Sequence, residues 1–163
     1  MEQAARPRWA SALGDATTRI IDQTGGGDAV SVLDVAADAT QIVLAYGKFI
    51  GSQFRQTRVV RFNDTANLWE LAGSDADQLT AVQNTALAFQ GGTLVQVPVG
   101  FFANSVDVTT GQARRFNGTG WSAFTSLQPV SGRNVRAVVR QNALFIVYAT
   151  PGASVGVARL NVP

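Results

Sequence analysis

A three-residue motif, an arginine followed by a hydrophobic residue and asparagine, ends three short apolar runs in this chain. "VVRFN" ends at Asn63, "ARRFN" ends at Asn117, and "VARLN" ends at Asn161. The first two copies are followed by a turn and a tryptophan, Trp69 and Trp121. Self-similarity of this kind indicates a repeat architecture in which each copy is one supersecondary unit. The sequence therefore predicts a single domain over residues 1–163 built from three units.

The third unit has no tryptophan after Asn161, but the first residues of the sequence contain one in "RWASALGD". Trp9, Trp69 and Trp121 are about 50 to 60 residues apart, and the spacing from Trp121 through the C-terminus to Trp9 is similar. We therefore expect the N-terminal segment to supply the strand that the C-terminal unit lacks. The units are then about 15–73, 74–127, and 128–163 together with 1–14.

The apolar runs are short, rich in Val, Ile, Leu and Phe, and bounded by Gly, Asn, Asp or Pro, which is typical of strands separated by turns. The predicted strands are 29–36, 41–49, 57–63, 86–89, 93–102, 111–117, 134–139, 143–149 and 155–162, with further strands at the tryptophans. Asn63-Asp64 and Asn117-Gly118 are predicted to lie in turns between two strands and to supply the positive φ that these turns need. The predicted fold class is all-β with four strands per unit.

One stretch carries a family resemblance: "TALAFQGGTLVQVPVGFF" followed by "GQARRFNGTGWSAF". It resembles the bacterial and phage β-propeller repeat with an aromatic-Asn-Gly turn, a tryptophan and a Leu-Gly. The resemblance implies four-stranded blades closed by the N-terminal strand. Because three blades cannot easily surround an axis, it also implies a symmetric dimer with six. A monomeric β-trefoil, which also has three four-stranded units, is the alternative. Residues assigned to the repeat scaffold are Trp9, Trp69, Trp121, Phe62, Phe116 and Leu160.

The chain lacks histidine and cysteine, the usual general base, thiol nucleophile and transition-metal ligands. Asp34, Asp64, Glu70 and Asp107 are candidate acids by type only, and their spacing marks no catalytic pair. Asp75 and Asp77 alternate as the first ligands of a calcium loop do, but no closing glutamate follows, so a solvated turn is the preferred interpretation. We predict no enzymatic activity, no cofactor and no metal site.

All but one of the 13 basic residues are arginines, spread along a chain whose net charge is +2. This is a thin footprint for nucleic acid, and we predict none as partner. No apolar stretch is long enough to span a membrane, and the N-terminus lacks the core of a signal peptide. The sequence leaves the localisation open, with a virion or a cell surface reached by assembly as the suggested settings.

Recognition is expected at the segments that differ between units, because repeats supply the scaffold and loops supply specificity. The segments 47–56 and 99–112 provide the predicted binding residues, which are Phe54, Arg55, Phe101, Phe102 and Asn104. A hydrophobic subunit interface is the equal alternative for them. The functional hypothesis is a non-enzymatic structural or binding module that forms homo-oligomers, preferentially dimers. It would present loops to a protein or glycan surface, for example as a phage tail, fibre or decoration protein. A multivalent carbohydrate-binding lectin is the alternative.

Overall fold

The computed structural model describes residues 29–50, 53–79, 82–101, 112–126, 135–149 and 154–160. Within these residues the chain forms three antiparallel sheets of four, four and three strands, so the all-β prediction is confirmed. Sheet 1 contains β1 (Ala29–Ala37), β2 (Ile42–Ile50), β3 (Gln53–Asn63) and β4 (Leu68–Leu71). Sheet 2 contains β5 (Val82–Gln90), β6 (Thr93–Phe101), β7 (Gln112–Phe116) and β8 (Trp121–Ser126). Sheet 3 contains β9 (Val135–Arg140), β10 (Ala143–Ala149) and β11 (Val155–Leu160).

Each sheet takes its strands from one repeat unit, in the order in which they occur in the chain. β11 is the edge strand of sheet 3 and corresponds to β3 and β7, the third strands of the other two sheets. Among the described residues, sheet 3 has no fourth strand. Trp9 and the rest of the N-terminal segment lie outside the described residues, so the expectation that this segment completes the third unit stays a prediction.

The turns joining the first and second strands differ in chemistry but share backbone geometry. Gly91 and Gly92, between β5 and β6, have φ values of 55° and 76°. Gln141 and Asn142, between β9 and β10, have φ values of 49° and 59°. Two consecutive left-handed residues form the tight hairpin turn whose twist matches that of paired strands. These two turns therefore fix the register of the first hairpin in sheets 2 and 3.

The repeated asparagine closes the turn between the third and fourth strands with its side chain. Asn63 Oδ1 accepts the backbone N–H groups of Thr65 and Ala66, each at 3.0 Å. Asn117 Oδ1 accepts those of Thr119 at 3.0 Å and Gly120 at 2.8 Å. Asparagine is favoured here because its short amide can satisfy turn N–H groups two and three residues ahead.

The positive φ predicted for these turns is found at Gly118, with φ of 97°, but not at Asp64. In the first unit the left-handed residue is Asn67, with φ of 55°. The reason is loop length, since four residues, 64–67, separate Asn63 from Leu68, and the reversal of the chain is completed at the end of the loop. The prediction was therefore wrong for the Asn63-Asp64 pair.

The sheets pack face against face, and sheet 2 lies between the other two. One face of sheet 2 packs against sheet 1 through a cluster of Val43, Ala45, Val59, Ala72, Leu87, Leu94 and Phe116. Its opposite face packs against sheet 3 through Ala86, Ala88, Val95, Val97, Ala113, Val135, Leu144 and Ile146. This use of both faces follows from the sequence, because β5 and β6 are apolar at odd and even positions alike.

The first strands of neighbouring sheets contact one another, β1 with β5 and β5 with β9. Within sheet 3, Gly156 pairs with Tyr148, and a Cβ atom at Gly156 would approach the tyrosine ring to 2.5 Å. Glycine is needed at this position because the ring lies over its backbone. Tyr148 also packs against the apolar cluster between sheets 2 and 3, so this pair helps to hold sheet 3 in place.

Candidate binding groove at the turn end

The aromatic and tryptophan positions of the repeat form the same pair in sheets 1 and 2. Phe62 and Trp69 are register partners with ring centroids 5.5 Å apart, and Phe116 and Trp121 are register partners with centroids 5.3 Å apart. The Trp121 indole N–H donates to the carbonyl of Ala72, at the end of sheet 1, over 2.6 Å. In the third unit Leu160 stands where the other units have Phe62 and Phe116, and its side chain lies outside the described residues. In sheet 2 the pair thus joins one sheet to the next.

A polar cluster beside Trp121 strengthens the contact between sheets 1 and 2. Arg114 is buried in β7, donates through Nε to Gln96 Oε1 over 2.8 Å, and donates through Nη1 to the carbonyl of Asp77. Its guanidinium carbon lies 4.7 Å from the centroid of the Trp121 ring. Burial lowers the pKa of the Arg114 guanidinium to about 10, partly opposed by the Asp77 carboxylate, so the group stays cationic at neutral pH.

Asp77 belongs to a short 3-10 turn, Asp75–Asp77, that follows β4 and rests on sheet 2. Its Oδ2 atom accepts hydrogen bonds from the N–H and the hydroxyl of Ser74, each at 2.8 Å. These bonds, and then the charge of Arg114, hold the pKa of the Asp77 carboxyl below its usual value of 3.8. Gly73 enters this turn with φ of 92°, and a Cβ atom there would lie 2.9 Å from Asp77 Oδ2.

The two aspartates considered for calcium therefore make structural contacts within the protein. Asp75 forms an ion pair with Arg58 at 3.0 Å, while Asp77 closes its own turn. No group of three or more potential metal-ligating His, Cys, Asp or Glu residues occurs within the part of the chain that the structure describes.

The other candidate acids are also separated. Asp34 in β1 accepts the backbone N–H of Leu87 in β5 over 2.7 Å, and so joins the first strands of sheets 1 and 2. Glu70 accepts a hydrogen bond from the side-chain amide of Asn63 over 2.7 Å. Asp64 lies in an exposed turn, and Asp107 lies outside the described residues. The structure does not bring the described members of this set together as a catalytic pair.

A groove runs between sheets 1 and 2 at the end of the molecule that carries the turns 38–41, 64–67, 91–92 and 117–120. The larger cavity of this groove has a volume of about 460 Å³. Its lining includes Gln41, Arg61, Thr93, Phe116, Asn117 and Ser122. A smaller cavity of about 280 Å³ shares Gln41 and Arg61 with it and also contains Asp64 and Glu70. Arg61 thus lies at the boundary of the two cavities.

Three of the predicted binding residues, Phe54, Arg55 and Phe101, lie at the opposite end of the sheets. Phe54 and Arg55 belong to β3, and Phe101 is the last residue of β6, so these positions are in strands and not in loops. Their side chains, together with Phe102 and Asn104, lie outside the description, and their binding role stays a prediction. The strands extend this far because β2 and β3 pair as far as Ile50 and Gln53.

Sequence reasoning did not select Arg61 as a binding residue, because it stands inside the repeated motif that was assigned to the scaffold. A usable signal was present, since alternation along β3 turns Arg61 to the side of Val59, which faces sheet 2. A charged residue on the sheet-facing side, directly before a turn, was the feature that could have indicated the groove.

A comparison with models of known protein families finds no match, and no curated protein is significantly similar to this sequence. Within the described residues there is no helix with the length and hydropathy that crossing a membrane requires.

Proposed function

We propose that this chain is a non-enzymatic assembly module of propeller type, in which the sheets act as blades and two copies close a ring of six. The observation that carries the proposal is the direction of stacking. Sheet 1 presents one face to sheet 2, and sheet 2 presents the corresponding face to sheet 3. Stacking in a single direction leaves two different faces unused, one on sheet 3 and one on sheet 1.

The unused face of sheet 3 carries exposed valines beside three exposed arginines, Arg136, Arg140 and Arg159. Val138 in β9 is 54% exposed, and Val155 and Val157 in β11 are 73% and 63% exposed. At the matching face of sheet 2, residues such as Ala88 and Val95 are almost completely buried against sheet 3. Because large apolar side chains at neighbouring positions of one sheet face are unusual on a monomer, this face supports an interaction surface.

The unused face of sheet 1 is open mainly along β1. Val32 is 66% exposed and Val35 is 55% exposed. Further from β1, Tyr46, Val60 and Phe62 are already buried within one copy. The area of sheet 1 available to a second copy is therefore β1. First strands also join the sheets within one copy, β1 with β5 and β5 with β9.

Contact between two different faces is heterologous, and such contacts produce either closed rings or open filaments. Two copies give six sheets, with both junctions equivalent. In this proposal the segment containing Trp9 pairs with the free edge of β11 and gives sheet 3 its fourth strand. The strand pairing favours blades over a trefoil, because each described sheet takes its strands from one unit. A ring of this kind suits a virion or cell-surface assembly.

The experiment is analytical ultracentrifugation of the unmodified chain and of Val157→Asp. We expect twice the mass of the 17.2 kDa chain for the unmodified protein. An aspartate at the junction between copies would lose its hydration, so Val157→Asp should cause dissociation to single chains with an unchanged β-sheet circular dichroism spectrum. Thr65→Asp, in the exposed turn, is the control and should remain paired. A monomeric unmodified chain, or a Val157→Asp dimer of unchanged affinity, would contradict the proposal.

The groove favours a second function, carbohydrate binding at the turn end. Its larger cavity falls within the roughly 300–1,000 Å³ typical of small-ligand sites. Hydroxyl and amide side chains such as Thr93, Ser122 and Gln41 line it beside an aromatic ring. Hydrogen-bonding groups at the wall of a cavity of this size suit the hydroxyls of a sugar. Saturation-transfer NMR with a panel of monosaccharides tests it, and the absence of any transfer at millimolar sugar would rule it out.

A further inference from the structure

Arg61 differs from the other described arginines that contact an aromatic ring. Its guanidinium carbon lies 5.5 Å from the centroid of Phe116, across the junction from sheet 1 to sheet 2. Arg114 also contacts a ring, that of Trp121, but two of its nitrogen atoms donate hydrogen bonds to protein acceptors. Among the residues that the structure describes, the Arg61 guanidinium makes neither an ion pair nor a hydrogen bond. Its N–H donors are therefore available at the groove.

The contact with Phe116 also holds this guanidinium at the junction. A cation within about 6 Å of the centroid of an aromatic ring is attracted to the ring. Arg61 is only partly exposed, so the side chain is supported along its length by the sheet junction. A held guanidinium with unused donors is suited to bidentate binding of a carboxylate, and less of the binding energy is lost to ordering it.

The two cavities beside Arg61 have opposite electrostatic character. The smaller one contains the carboxylates of Asp64 and Glu70, and Glu70 is the register neighbour of Arg61 on the adjacent strand. The larger one has two arginines, Arg61 and Arg115, in its lining and no acidic residue. An anionic group is therefore repelled from the smaller cavity and favoured in the larger one.

We propose that the larger cavity binds a sugar that carries a carboxylate, of the uronic acid class, with the carboxylate on Arg61. Hydroxyls of the same sugar would reach the polar side chains of the cavity, including Thr93 and Ser122. The inference rests on the carbohydrate-binding function proposed above and names its ligand class. It does not depend on ring closure, because sheets 1 and 2 of one copy form both walls.

The test uses matched pairs of sugars that differ only in the carboxylate: D-glucuronate against D-glucose, and D-galacturonate against D-galactose. Each is titrated into the full chain and followed by saturation-transfer NMR and calorimetry. We expect each uronate to bind at least about tenfold more tightly than its neutral partner, and more weakly as salt is raised. Acetate should bind far more weakly than either uronate, because it lacks the hydroxyls.

Arg61→Gln and Arg61→Lys separate charge from geometry. Arg61→Gln should remove the preference for uronates, and Arg61→Lys should keep only part of it, because lysine cannot form the bidentate pair. Arg140→Ala, at an exposed position of sheet 3, is the matched control and should leave binding unchanged. The thermal transition of each variant is measured alongside, so that loss of fold is recognised.

The possible failures are distinguishable. Equal binding of uronates and neutral sugars, or uronate binding that Arg61→Gln leaves intact, would overturn the assignment to Arg61 while carbohydrate binding stands. Binding of no sugar at all would overturn both proposals. Acetate binding as strong as uronate binding would show a site for carboxylates alone and would overturn the sugar assignment.

Discussion

The two junctions between sheets use different chemistry for the same task. Sheets 1 and 2 share an apolar cluster, and directional polar contacts are added to it: Asp34 to the Leu87 N–H, the Trp121 indole to the Ala72 carbonyl, and Arg114 to the Asp77 carbonyl. Sheets 2 and 3 are joined by aliphatic residues and, at the turn end, by a hydrogen bond from Gln90 Nε2 to the Asn142 carbonyl over 2.6 Å.

The two kinds of contact fix the position of one sheet on the next in different ways. A buried donor or acceptor must find its partner, so polar contacts specify one alignment, whereas aliphatic faces depend on shape and volume. The open face of sheet 3 differs from both junctions, because Val138, Val155 and Val157 lie there among exposed arginines. The first junction is thus the more specific of the two within one copy.

The largest effect is expected at the aliphatic junction. Leu144 is completely buried between sheets 2 and 3, and Leu144→Ala should lower the free energy of unfolding by roughly 2–5 kcal/mol. Lost burial and the cavity left behind both contribute, and no polar contact of Leu144 offsets them. Urea denaturation measures the change. Thr65→Ala in the exposed turn is the control, and a Leu144→Ala midpoint equal to that control would show that sheet 3 is not packed as described.

The polar junction should respond to the loss of Arg114. Arg114→Ala removes the hydrogen bonds to Gln96 and to the Asp77 carbonyl, together with the contact with the Trp121 ring, and should cost roughly 1.5–3 kcal/mol. Arg114→Lys should recover little, since an ammonium cannot reproduce the two bonds. The measurement is again urea denaturation, with Thr65→Ala in the exposed turn as control. Full recovery by lysine would show that only the charge is needed.

The same junction should weaken in acid. The pKa of the folded Asp77 carboxyl lies below 3.8, its ordinary value, so this group stabilises the protein above that pH. The contribution is lost as the pH falls through the lower, folded value. Asp77→Asn should therefore melt at a lower temperature than the unmodified chain above pH 3.8. The difference between the two melting temperatures should shrink as the pH falls below that value.

Ser74→Ala is the matched variant for this effect. It removes one of the hydrogen bonds that lower the pKa of Asp77 and retains the carboxylate, so it should produce a smaller change of the same sign. If the melting temperatures of both variants depend on pH as that of the unmodified chain does, Asp77 does not stabilise the junction.

The smallest effect is expected at the hairpin turn of sheet 3. Gln141 has a φ of 49°, in the left-handed region that glycine adopts without cost, and Gly91 holds the equivalent place in sheet 2. Gln141→Gly should stabilise the chain by about 0.5–1 kcal/mol, less the greater entropy of glycine in the unfolded state. Calorimetric melting measures it, and Gly91→Gln should have the opposite effect. A lower melting temperature for Gln141→Gly would contradict the strain argument.

The strands could be predicted from the sequence because local chemistry decides them. Runs of β-branched and aromatic residues that end at turns such as Gly91-Gly92 and Asn117-Gly118 favour strands. The structure places strands there. The extension of β3 back to Gln53 was not predicted. The polar segment "QFRQ", residues 53–56, gives no strand pattern of its own, and it is held in the sheet by pairing such as Lys48 with Gln56.

The groove and the polar junction could not be predicted in this way. Arg114 and Arg115 are adjacent and identical in type, and Arg114 reaches the Asp77 carbonyl only because sheet 1 packs on its side of sheet 2. Arg61 meets Phe116 only because two units stack at a particular offset. Contacts of this kind depend on the relative position of sheets that are distant in sequence, which no local pattern encodes.

The central claim, stacking in one direction that continues between copies, can be tested through the absence of native cysteine. Chains carrying Val35→Cys and chains carrying Val157→Cys are refolded together and treated with a short bis-maleimide. We predict covalent dimers in the mixture that contain one chain of each kind, and little cross-linking of either variant alone. Efficient cross-linking of Val157→Cys to itself, or none in the mixture, would contradict head-to-tail closure.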